Sequence, residues 1–138
     1  MKGVETVKID KIPAGREMDE LIAIEVMGWR KHFRNTAWWV PAELENESIQ
    51  SPCQIMGMTC EEHRFAPSTD ILAAWEVMEK ITEKHWKFKL RRLPGKDYMA
   101  YFQNLLRFPI ECESAPSGTA PLAICRAALK VVLGSDET

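Results

Sequence analysis

The stretch Phe65-Ala-Pro-Ser-Thr-Asp-Ile-Leu-Ala-Ala-Trp-Glu-Val-Met-Glu-Lys-Ile81 decides the fold, because it joins a helix-start signal to the cleanest apolar periodicity in the chain. Ser68, Thr69 and Asp70 each carry a side-chain oxygen able to accept a hydrogen bond from the unpaired N–H groups of a first helical turn, and Pro67 disfavours helix before them. The helix is expected to start near Thr69. Ile71, Leu72, Trp75, Met78 and Ile81 then recur at three- and four-residue steps and form one stripe, with Glu76, Glu79, Lys80 and Glu83 away from it. This pattern predicts a central helix whose large apolar stripe is buried.

After this helix, Trp86, Phe88 and Leu90 alternate with Lys87, Lys89 and Arg91, the signature of a strand with one buried face. Pro94-Gly-Lys-Asp97 supplies turn chemistry, and Tyr98 to Asn104 reads as the antiparallel partner. A third strand is expected between Leu106 and Cys112, which completes a meander. Thr119 then caps a last helix with Leu122, Cys125, Leu129 and Val132 on one stripe and Gly134 as its stop.

On the N-terminal side, residues 1–14 alternate weakly through Val4, Val7, Ile9 and Ile12, which suits an edge strand or an ordered arm. Arg16 to Trp29 reads as a helix, with Met18, Leu21, Ile22, Val26 and either Met27 or Trp29 on one side, acids in its first turn and Gly28 available as a stop. Ala37-Trp-Trp-Val-Pro41 suits one short strand, on which Trp38 and Trp39 point to opposite faces. Residues 42–64 show little periodicity and are expected to form a long loop or insertion. The sum is a single domain over 1–138 of α/β (α+β) class: a small, mainly antiparallel sheet sandwiched by about three helices, with Leu21, Trp75, Met78, Phe88, Leu122 and Leu129 in the core.

At 138 residues the chain is long enough to bury a real core. Its 18 Lys and Arg against 20 Asp and Glu give a net charge of −2, so the long-range field does not draw in a nucleic acid polymer. The basic and aromatic run Lys84 to Arg92 fits a solvated strand face better than a single-strand binding surface. No run reaches the roughly 18 apolar residues that span a bilayer, and the N-terminus lacks a secretory signal. A cytoplasmic chain with reduced Cys53, Cys60, Cys112 and Cys125 is therefore expected, with no membrane partner.

Three segments together resemble a known family: Ala14-Gly-Arg-Glu-Met-Asp-Glu-Leu-Ile-Ala23 running on to Val26-Met-Gly-Trp29, Ser68-Thr-Asp-Ile-Leu-Ala-Ala-Trp-Glu-Val77, and Thr119-Ala-Pro-Leu-Ala-Ile-Cys-Arg-Ala-Ala128. In order, spacing and letters they resemble the phage ABA sandwich domain family, from Ala14 to Leu133. The resemblance implies a sandwich of helix and sheet layers and a phage or prophage origin, hence the cytoplasm of a bacterial host. It also implies an accessory role of the kind often turned against host defences, in some cases by capture of a nucleotide second messenger. The stretch from Glu43 to Arg64 is longer than the family leads one to expect, and the family brings no catalytic residues.

The chemistry-bearing residues are sparse. Cys53, Cys60 and His63 make at most one compact metal-ligand pair, so no metal is expected. Cys60 with His63 lacks the surroundings of a thiol nucleophile, and Cys125 falls on a buried stripe. The chain has no Walker glycine loop, no Gly-x-Gly-x-x-Gly and no His-Glu-x-x-His, so neither a cofactor nor an enzymatic activity is expected. What remains are two capped helix N-termini, at Ser68, Thr69 and Asp70 and at Thr119, whose free N–H groups and dipoles attract anions, although ordinary capping explains them more simply and Asp70 would repel an anion at the first. With Arg64 as a nearby cation and Trp29 or Trp38 as a stacking surface, these residues form the expected ligand set. The chain is thus read as a binder of a small anionic ligand such as a nucleotide, plausibly a homodimer. The alternative is a protein-interaction module that docks on a host or phage protein through residues 42–64.

Overall fold

A computed structural model of the chain describes residues 6–31, 39–41, 65–83, 85–106 and 111–134. In chain order these form α1 (Thr6–Ile9), α2 (Arg16–Leu21), which runs on into a π-helical turn (Ile22–Val26), β1 (Trp29–Lys31), β2 (Trp39–Pro41), α3 (Ile71–Thr82), β3 (Trp86–Arg92), β4 (Tyr98–Asn104), β5 (Glu111–Glu113) and α4 (Ala120–Gly134). The result is an α+β sandwich built on three principal helices and two small antiparallel sheets, β1-β2 and β3-β4-β5.

Helix α4 occupies the centre. Every residue from Leu122 to Leu129 is buried, a pattern found in helices surrounded on all sides rather than in surface helices. Its composition permits this, because Ala123, Cys125, Ala127 and Ala128 are small enough for α3, β4 and the π turn to approach from different directions. The stripe read from the sequence captured Leu122, Cys125 and Leu129 but not the burial of the residues between them.

Helix α3 has its start where the sequence placed it: the Asp70 carboxylate accepts a hydrogen bond from the Leu72 N–H at 3.2 Å. The buried face is turned from the expected one and shares Met78 and Ile81 with it. Ala73, Ala74, Val77, Met78 and Ile81 are buried, whereas Ile71, Leu72 and Trp75 are 46%, 76% and 45% exposed. Both sets follow a helical repeat, and packing against α4 selects the set with small residues, because alanines let two helices come close and large side chains hold them apart. Trp75 is therefore not in the core; it rests edge-on against Phe88 at 6.0 Å and 90°.

The meander β3-β4-β5 pairs as expected, with Phe88 opposite Phe102 and Lys89 opposite Tyr101. Alternation sends Phe88, Ala100 and Phe102 toward the helices and Lys87, Lys89, Tyr101 and Gln103 to the outer face. The Pro94-Gly95 turn works because Gly95 adopts a φ of 90°, which lets the Lys96 N–H reach the Leu93 carbonyl. The third strand, expected from Leu106 to Cys112, is Glu111–Glu113; Leu106 is not in it, and residues 107–110 lie outside the described residues.

At the N-terminal end, where an edge strand or an ordered arm was expected, residues 6–12 contain one helical turn and no strand. Helix α2 ends in the π turn, with the Met27 N–H bonded to the Ile22 carbonyl, and Gly28 at φ 74° turns the chain out of it. Trp29 consequently sits in a strand and not on the helix stripe. Trp39, paired opposite Lys31, packs against the core with the Lys31 ammonium 5.6 Å from its ring centre, while Trp38 lies outside the described residues.

The arm is held to α4 by charge. Asp10 accepts from Lys130 Nζ at 2.6 Å and from the Ala115 N–H at 3.0 Å, and Lys130 also donates to the Glu113 carbonyl. One turn earlier on α4, buried Arg126 donates to Ser117 Oγ and to the Ile12 carbonyl. Burial pulls its guanidinium below the ordinary value, an effect that Asp10 opposes.

The altered helix face gives a direct test. Ala74→Leu should destabilise the protein by about 1–3 kcal/mol through overpacking. Leu72→Ala should change stability by no more than about 0.5 kcal/mol. Urea denaturation measures both, and the reverse order would restore the stripe read from the sequence.

Candidate functional site

The expected ligand set divides once the chain is folded. Arg64 and Trp38 lie outside the described residues, as do Cys53, Cys60, His63 and all of residues 42–64, so the alternative docking loop lies there too. Trp29 is buried, with its ring edge-on to Phe65 at 4.8 Å. It holds β1 onto the core and leaves no ring face for stacking.

Ser68 is fully buried and joins two segments. Its Oγ accepts from the Gly15 N–H at 2.9 Å and its own N–H donates to Asp19 Oδ1 at 2.9 Å. The serine thus fastens the start of α3 to the start of α2 and presents no free donor. Thr69 Oγ1 donates to the Ala66 carbonyl, and the Asp70 carboxylate is engaged as the helix cap. Thr119 Oγ1 accepts from the Leu122 N–H at 3.4 Å, which is a cap as well. The oxygens at both helix starts are accordingly occupied by capping and clasping.

A different place gathers cations, an aromatic ring and an amide. On the outer face of β3-β4-β5 a half-open hollow of about 310 Å³ is lined by Lys87, Lys89, Tyr101, Gln103 and Glu111, with the inward-facing Phe88 between the two lysines along the strand. Strand register builds it: Lys87 stands opposite Gln103, which stands opposite Glu111, and Lys89 stands opposite Tyr101. The Lys89 ammonium lies 5.8 Å from the Tyr101 ring centre, a cation–π arrangement. Among the described residues neither lysine forms an ion pair with a carboxylate. The sequence had shown the alternating lysines and assigned them correctly to a solvated strand face. Tyr101 and Gln103 join them only through cross-strand pairing, which no single-strand pattern reveals.

The thiols described are quiet. Cys125 is buried and its pKa is raised, chiefly by loss of solvation and secondarily by Asp19. Cys112, half-buried under the sheet, is raised for the same leading reason. Neither environment favours a thiolate nucleophile. No group of three or more His, Cys, Asp or Glu that could hold a metal ion occurs among the described residues, and none of their helices is long and apolar enough to cross a membrane.

The clasp at Ser68 is open to measurement. Ser68→Ala removes the acceptor from the Gly15 N–H and should lower stability by about 1–3 kcal/mol, the cost of a polar group left without its partner. Thermal or urea unfolding would show it, and an unchanged midpoint would return Ser68 to the list of free ligand donors.

Neither the comparison with curated proteins nor that with solved structures found a match. The comparison with protein families did: the model of the Phage ABA sandwich domain matches residues 20–129. That span runs from the end of α2 through β1, β2, α3 and the meander to the buried stretch of α4, the layered core described above. The chain belongs to the phage ABA sandwich domain family.

Proposed function

We propose that this chain is a non-enzymatic phage accessory protein that binds and holds a small anionic ligand, preferably a nucleotide, on the outer face of its three-stranded sheet. The observation that carries the reading is the hollow in which Lys87 and Lys89 stand beside the Tyr101 ring and the Gln103 amide. Two ammonium groups match a phosphate, and the half-buried Tyr101 ring, with Lys89 over it, offers its remaining surface to a base of any identity. An amide offers both a donor and an acceptor to a base edge, and the Glu111 carboxylate accepts from an exocyclic amino group. This moves the expected ligand site from the two helix N-termini, whose oxygens are engaged in capping, to the sheet.

Membership of a phage family supports a role in which capture removes a nucleotide signal of host defence, because sequestration needs affinity and no chemistry. The opposing interpretation is that Lys87, Lys89 and Arg91 guard an edge strand against pairing with another sheet. That interpretation explains the lysines but assigns nothing to Tyr101 and Gln103.

A thermal-shift screen of cyclic and linear nucleotides separates the two. A ligand at 100 times its dissociation constant adds roughly 2.7 kcal/mol, a shift of several degrees in a domain of this size. The shift should fall away in the double variant Lys87→Gln/Lys89→Gln and in Tyr101→Ala. The edge-guard interpretation predicts no shift with any nucleotide, or one that these variants leave intact.

A further inference from the structure

We infer that the exposed ridge of α3 formed by Ile71, Leu72 and Trp75 is a docking surface for a basic amphipathic helix of a partner protein. These three side chains stand out from a helix whose opposite face is already buried, so α3 is apolar on two sides and covered on one. Large apolar residues grouped in this way mark an interaction site more often than scattered single ones do. Trp75 is held edge-on by Phe88, so its ring is presented with little orientational freedom left to lose on binding.

Charge selects the occupant. Glu76 and Glu79 border the ridge, both are exposed, and among the described residues neither is paired with a cation; Lys80, the one base on the helix, is 3.9 Å from Glu83. Asp70 adds a further negative charge at the N-terminal end. Loss of solvation beside the helix, then Glu79 and Asp70, hold the Glu76 carboxyl above its ordinary value, a crowding that a partner's cation relieves. A second copy docked ridge to ridge sets these acids against their own image. The chain's own residues 42–64, with Glu43, Glu45, Glu47, Glu61 and Glu62 against Arg64, bring like charge as well. An anionic lipid surface is repelled for the same reason. A helix that lays apolar side chains on the ridge and places Lys or Arg beside Glu76 and Glu79 satisfies both parts of the surface.

The test uses two labelled synthetic peptides, an amphipathic Leu/Lys helix and its Leu/Glu counterpart, titrated with the full chain and followed by fluorescence anisotropy. The Leu/Lys peptide should bind saturably, and Leu72→Ser, which leaves the charge unchanged, should weaken it about tenfold or more, as loss of a central apolar anchor does. Glu76→Gln/Glu79→Gln should flatten the salt dependence of binding. Lys87→Gln/Lys89→Gln should leave the affinity unchanged, which separates this surface from the sheet hollow. Unfolding midpoints close to that of the parent chain verify that the variants fold. Equal binding of the two peptides, or an affinity indifferent to Leu72→Ser, would overturn the inference. A dimer in sedimentation equilibrium that Leu72→Ser dissociates would also overturn it, in favour of a second copy as the occupant.

Discussion

Burial of α4 on all sides is the constraint on which the rest of the fold depends. A helix enclosed by other elements needs small side chains wherever a neighbour's backbone comes close, and Ala123, Ala127 and Ala128 meet that need. It also needs an answer for any charge it carries. Arg126 and Lys130 lie one turn apart on the side reached by the N-terminal arm, where the Ile12 carbonyl accepts from the guanidinium and the Asp10 carboxylate from the ammonium, while Arg126 Nε has no partner among the described residues. Sequence-distant segments are therefore fixed by the polar demands of one helix. A guanidinium left without these acceptors would carry a desolvation cost of several kcal/mol.

With α4 at the centre, two surfaces of different character follow. The sheet turns its apolar side to the helices and its lysines, tyrosine and amide outward, so the alternation that makes the core also makes the cationic hollow. Helix α3 gives its small residues to α4 and is left with its large ones facing away. One surface is cationic and aromatic, the other apolar and acidic. They suit ligands of opposite charge, and the second is laid down by the same packing that builds the core.

Much of this was legible in the residues. Alternation along Trp86 to Leu90, the Pro94-Gly95 turn and the apolar positions of Tyr98 to Asn104 gave the meander its first two strands and their antiparallel sense. The caps at Asp70 and Thr119 gave two helix starts. The orientation of α3 was legible only in Met78 and Ile81, because Ile71, Leu72 and Trp75 continue from them as regularly as Ala74 and Val77 do. Periodicity ranks such stripes by hydrophobicity, whereas helix packing ranks them by how closely they allow approach. Ser68 was misread for a related reason. Its place before a helix is that of a capping residue, but its partners, Gly15 and Asp19, come from a segment far away in the chain. The hollow was half legible, since the lysines show in one strand and their companions Tyr101 and Gln103 arrive only through pairing.

A helix enclosed on all sides, as α4 is, should be the last element to open. Native-state hydrogen exchange followed residue by residue measures this most directly, since amides that exchange only through global unfolding report the full stability of the fold. The slowest exchange is predicted for Ala123 to Leu129 and for Ala100 and Phe102 in β4, with the first turn of α3 and the arm around Ile9 opening earlier. Amides of α4 that exchange as readily as those of Ile71 to Ala73 would contradict it, and would make α4 a helix on the surface of the fold rather than the element around which it is built.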